Sequence, residues 1–160
     1  MRTFTQMFLA AVLGAALVAG GQYRPYEPSF EVRMRAEAAP TVRLMKGANG
    51  FCSAVVVAPG YALTALHCQQ VFEPEVDGHP VAEWRKFSAK DVALLVVPGL
   101  RCPCVSVANF TVIGERVSAI GFPGGVGQLI SHGYSEGFVL YEDEKYLHSS
   151  TTLGGGMSGG

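Results

Sequence analysis

The sequence predicts an all-β domain. Twenty glycines and nine prolines are scattered along 160 residues without a repeat, which marks many turns and therefore short strands. Beyond residue 21 the apolar residues fall into short β-rich runs, and none carries a long helical repeat. The length suits one domain with a substantial core.

The runs follow in order. "TVRLM" begins at Thr41, and "SAVVVA" ends at a tight "PGY" turn over residues 59–61 that leads into "ALTAL". "VAEWRKF" alternates as a half-buried strand does, whereas "VALLVV", residues 92–97, is a continuous apolar run of the kind expected of a fully buried strand. A second group begins after "CPCVSVANF". It comprises "ERVSAIGFPGG", "QLISHGY", "GFVLY" and "KYLHSST", with the acidic turn "EDE" before the last. Two β halves meeting near residues 101–112 are the expected layout.

Residues 1–21 stand apart. Arg2 precedes the apolar stretch "MFLAAVLGAALVAG", Met7 to Gly20, and small residues follow it. This is the layout of a secretory signal, and it is short for a span of about 30 Å of hydrocarbon. A membrane tether through residues 7–21 is the alternative. Residues 22–40 mix proline with charge and read as a linker or prosegment; the domain proper occupies 41–160. Twelve basic against thirteen acidic residues, a net charge of -1, give no footprint for nucleic acid. Export makes Cys52, Cys68, Cys102 and Cys104 disulfide candidates first; zinc held by His67, Cys68, Cys102 and Cys104 is the rival, but the spacings match no common zinc pattern.

The terminal "GGGMSGG" needs a reason, because glycine loses the most backbone freedom on folding. A serine nucleophile needs a base to take its proton and donors for the developing oxyanion. Glycines around Ser158 allow the amides of Gly156 and Ser158 to turn toward one point. Of four histidines, His67 lies where a β-rich run ends beside a cysteine; His79, His132 and His148 have no comparable context. Of the aspartates Asp77, Asp91 and Asp143, only Asp91 heads an apolar run, where a charge is costly without a partner.

"FCSAVVVAPGYALTALHC", "KDVALL" and "GGGMSGG" resemble, in order, the His, Asp and Ser segments of chymotrypsin-like (trypsin-fold) serine peptidases, and "GERVSAIGFPGG" resembles the opening of the second barrel in bacterial members. The resemblance implies two six-stranded Greek-key barrels, the second incomplete because the sequence ends just after the serine. It implies His67 as general base, Asp91 as its orienting carboxylate, Ser158 as nucleophile, and the Gly156 and Ser158 amides as oxyanion hole. It also implies a Cys52–Cys68 disulfide, no metal or organic cofactor, and a protein or peptide substrate. Thr152 falls at the base of the primary substrate pocket, where a neutral side chain argues against Arg or Lys specificity. Met157 replaces the aspartate that pairs with a new N-terminus in zymogen-type members, so activation by N-terminal insertion is not expected. Cys102 and Cys104 have no counterpart; a bond across Pro103, pairing with another chain and free thiols all stay open. The rival to an active enzyme is a silent, protease-like module that holds a peptide without cutting it.

Overall fold

The computed structural model describes residues 28–87, 90–109, 111–141 and 144–160. The segment read as a signal or tether lies outside them, as do two of the three residues of the acidic turn. No helix among the described residues is long and apolar enough to cross a membrane.

Among the described residues, ten strands form two sheets. The first uses β1 (Val42–Gly47), β2 (Gly50–Ala58), β3 (Tyr61–Thr64), β4 (Glu75–Val76), β5 (His79–Pro80), β6 (Glu83–Lys86) and β7 (Ala93–Val96). Their spatial order is β5-β4-β1-β2-β3-β7-β6. The two outermost strands are consecutive in the chain. Laid flat, seven strands would separate them by about 29 Å. Only Val81 and Ala82 intervene, about 11 Å of chain at most, so the sheet must curl. The joint is held by Val81 N–H to the Pro74 carbonyl and Ala82 N–H to the Val96 carbonyl, both 2.9 Å. Inside lie Met45, Val56, Val76, Leu95 and Val97, all fully buried.

Strand β2 is buried on both faces, and alternation explains why. Cys52, Ala54 and Val56 enter the first core, while Val55 packs with Val42 and Ile120 in a second, smaller cluster facing the other sheet. The "VALLVV" run departs from the expected fully buried strand. Ala93, Leu95 and Val97 are fully buried, but Leu94 and Val96 are half-buried and Val92 is exposed. Only one face of β7 meets the core.

The second sheet has the order β10-β9-β8, from β8 (Arg116–Gly121), β9 (Leu129–Tyr141) and β10 (Glu144–Ser149). The runs "QLISHGY" and "GFVLY" are one long strand, β9. It is held midway by buried Ser135, whose N–H donates to the Glu115 carbonyl and whose hydroxyl donates to the Val112 carbonyl. This all-β, two-sheet arrangement is the trypsin-like fold with an incomplete second barrel.

Residues 30–41, within and just past the segment read as linker, form successive helical turns opening with α1 (Phe30–Arg33). Ser29 caps α1 by accepting the Val32 N–H at 3.4 Å. The segment packs on the second sheet: the Phe30 ring lies edge-on to His132, the Arg116 guanidinium sits 4.5 Å from its centroid, and Glu31 pairs with Arg116. Gln128 Nε2 donates to the Ala39 carbonyl at 2.7 Å, tying the turn after β8 to this segment.

Candidate active site

The register of the first sheet assembles half of the site. Strands β3 and β7 run antiparallel with Thr64 opposite Ala93. His67 lies three residues beyond Thr64, on a short 3₁₀ turn (Leu66–Gln70), and Asp91 lies two residues before Ala93. The ladder therefore delivers both side chains to one corner. Asp91 Oδ2 stands 2.6 Å from His67 Nδ1, and Asp91 Oδ1 accepts the His67 backbone N–H at 2.8 Å. A carboxylate can only accept, so the proton sits on Nδ1 and leaves Nε2 with its lone pair. Both side chains are about half exposed, at 51% and 53%.

Partial burial pushes the Asp91 carboxyl upward. Hydrogen bonds from the His67 ring and backbone N–H, the electrostatic attraction of the His67 ring and the Leu66 N–H outweigh it, holding the group below the usual carboxylate range. The turn carrying His67 is pinned from below. Cys68 bonds to Cys52 of β2 with Sγ–Sγ 1.99 Å and Cα–Cα 6.2 Å, and both residues are buried.

The glycine-rich loop reaches the same corner through its backbone. The Ser53 N–H of β2 donates to the Ser158 carbonyl at 2.8 Å. Gly159, with φ +84°, lies so close to the end of β3 that a Cβ there would stand 2.2 Å from Thr64 Oγ1 and 2.3 Å from the Ser53 carbonyl oxygen. Gly156 has φ +94°, and its Cβ would strike the Phe51 ring at 2.5 Å. Both positions demand glycine on conformation and on space. Within the loop, Met157 N–H donates to the Gly154 carbonyl at 3.0 Å and Gly160 N–H to the Met157 carbonyl at 2.9 Å. Among the described residues the N–H groups of Gly156 and Ser158 have no hydrogen-bond partner. The Met157 side chain is buried.

One residue that sequence reading passed over sits at the centre of this arrangement. Ser53 is fully buried. Its hydroxyl donates to the Gly156 carbonyl at 2.9 Å and accepts the Phe122 N–H at 3.0 Å, while its carbonyl accepts the Thr64 hydroxyl at 2.7 Å. It thus joins β2, β3, the end of β8 and the glycine loop. The available signal was a hydroxyl inside the apolar run "SAVVVA", since a buried polar group requires partners.

Thr152 follows β10 and is exposed, and its N–H donates to Ser131 Oγ of β9 at 2.7 Å. An apolar cavity of about 380 Å³ adjoins Asp91 and is lined by Val55, Leu63, Ala65, Val105 and Gly159 among others. His79, His132 and His148 are all away from this corner: His79 lies against Gly99, His132 bonds Ser118 at 2.8 Å, and His148 pairs with Glu136 at 3.0 Å. Cys102 and Cys104 are bonded to each other across Pro103. No group of three or more potential metal ligands occurs among the described residues.

No curated protein matches the chain in sequence. Among solved structures, Rv3671c from M. tuberculosis, a serine-to-alanine mutant in an inactive form, superposes with a TM-score of 0.66 at 19% identity, covering 84% of this chain and 75% of that one. A serine endoprotease from Yersinia pestis gives 0.68 at 24% identity, covering 84% and 53%. The HtrA-type protease AlgW, solved with a tripeptide, gives 0.70 at 25% identity, covering 82% and 49%. The chain thus spans three quarters of the first and about half of the other two. The model of the trypsin-like peptidase domain matches residues 52–160, a stretch that includes His67, Asp91 and Ser158. This chain belongs to the trypsin-like peptidase family.

Proposed function

We propose that the domain is a serine endopeptidase acting through His67, Asp91 and Ser158. One observation carries the reading: Asp91 holds His67 by ring and backbone together, beside the loop that presents Ser158. With the proton fixed on Nδ1, Nε2 takes the Ser158 proton as the hydroxyl attacks the scissile carbonyl. The amides of Gly156 and Ser158 stabilise the oxyanion. The imidazolium then protonates the leaving amine. Water, deprotonated by the same ring, hydrolyses the acyl-enzyme and frees Ser158.

Peptide as substrate class follows from the family and from AlgW, which was solved with a tripeptide. Thr152, carried over from the family pattern as the base of the primary pocket, offers no carboxylate to pair with Arg or Lys and so disfavours cleavage after them. Export through residues 1–21 places the enzyme outside the cytoplasm, consistent with its paired cysteines. The test is hydrolysis of an unfolded protein by the purified chain. Ser158→Ala and His67→Ala are each expected to lower turnover by about 10⁶, and wild-type rates in either would refute the assignment.

A second reading, a silent peptide-holding module, draws on the second sheet. It has three strands, and it exposes apolar residues such as Leu140, 79% accessible, and Leu147. That reading predicts peptide binding with no acylation of Ser158.

A further inference from the structure

The two disulfides occupy opposite environments. Cys52–Cys68 is buried, with its residues 5% and 1% exposed, and it links β2 to the turn bearing His67. Cys102–Cys104 encloses one residue, Pro103, in the connection between the sheets; Cys102 is exposed, while Cys104 packs partly against the first core. Cutting a bond that closes so small a loop releases little chain entropy, so the fold survives its reduction.

A charged cavity of about 470 Å³ adjoins the exposed cysteine. Its lining includes Arg43, Arg101, His79, Asp77 and Cys102 itself. Arg43 and Arg101 oppose a single carboxylate. Arg43 Nε is buried without a hydrogen-bond partner among the described residues, because the Asp77 oxygen stands 3.7 Å away, outside hydrogen-bond range. Arg43 is thus ion-paired with Asp77 while Arg101 adds a further positive charge to the lining, and that cationic balance suits an anion.

We propose that this cavity receives a small anionic thiol and that Cys102–Cys104 is its exchange site. The incoming thiolate attacks Cys102 Sγ, and the S–S electron pair leaves on Cys104 Sγ, which takes a proton from solvent. A second thiolate then attacks the mixed disulfide at the small molecule's sulfur. That step releases the small-molecule disulfide and leaves Cys102 as a thiol after a second protonation. Two thiols are oxidised and one protein disulfide is reduced. Attack falls on Cys102 because it lines the cavity, and Cys104 is shielded. Cationic surroundings favour the approach of the thiolate.

The oxidised full chain is treated with mercaptopropionate, mercaptoethanol or cysteamine at equal thiolate concentration. Samples are trapped by alkylation and mapped by mass spectrometry. Cys102 and Cys104 are expected to be alkylated while Cys52 and Cys68 stay paired and the far-ultraviolet circular dichroism is unchanged. The anionic thiol should react faster than the cationic one by on the order of tenfold, and Arg101→Gln should narrow that gap. Alkylation of Cys102 and Cys104 before any reductant, simultaneous or earlier reduction of Cys52–Cys68, or indifference to thiol charge would each overturn the proposal.

Discussion

Asp91 meets His67 twice, at Nδ1 and at the backbone N–H. A carboxylate heading an apolar strand needs a partner, and the β3–β7 register supplies His67. Asp91→Asn keeps the shape but no longer accepts from Nδ1–H as a charge, so turnover should fall by about 10⁴; steady-state kinetics on a peptide substrate checks it. The pH sign follows from a folded-state pKa that is depressed. The stabilisation is present above the unfolded-state value and is lost as pH falls through the lower, folded-state value. The Tm gap between wild type and Asp91→Asn should hold steady from neutral pH down to the ordinary carboxylate range and close below it. A gap that already closes near neutral pH would contradict this assignment to Asp91. Ser53, by contrast, was not legible. Nothing in "FCSA" states which groups its hydroxyl will meet, because the Gly156 carbonyl and the Phe122 N–H arrive from residues far along the chain.

At the scale of elements, short strands bounded by glycine and proline were readable because alternation and turn chemistry are local. What was not local was missed. Strand β9 runs through two apparent runs because long-range bonds at Ser135 hold it. The helical turns of residues 30–41 gain their order from Arg116, His132 and Gln128 rather than from any periodicity of their own. The glycine loop depends on both kinds of information. Ser53→Ala leaves the Gly156 carbonyl and Phe122 N–H without their shared partner, a loss of about 1–3 kcal/mol. Hydrogen exchange in peptides spanning 154–160 should accelerate in that variant relative to the strands of the first sheet. Gly159→Ala sets a Cβ against Thr64 Oγ1 and the Ser53 carbonyl at a positive φ. It should cost more than about 1–3 kcal/mol, since strain and overlap act together, and urea denaturation measures it.

Across the whole molecule, β2 of the first sheet serves two clusters, with one face in the first core and the other against Val42 and Ile120. The fold class was legible because that division is written in strand composition and turns. The closure of the first sheet was not, since it rests on which strands become neighbours. The Cys52–Cys68 bond closes a loop with a sequence separation of 16 across this framework. Replacing both cysteines with serine should lower stability by about 3 kcal/mol, read as a shifted denaturant midpoint.

The central claim is that Asp91, His67 and the glycine loop activate one hydroxyl. It is tested most directly by a fluorophosphonate probe with mass mapping of the labelled peptide. Stoichiometric labelling at Ser158, lost in His67→Ala and strongly slowed in Asp91→Asn, is the expected result. A folded chain that binds peptide but leaves Ser158 unlabelled would contradict it.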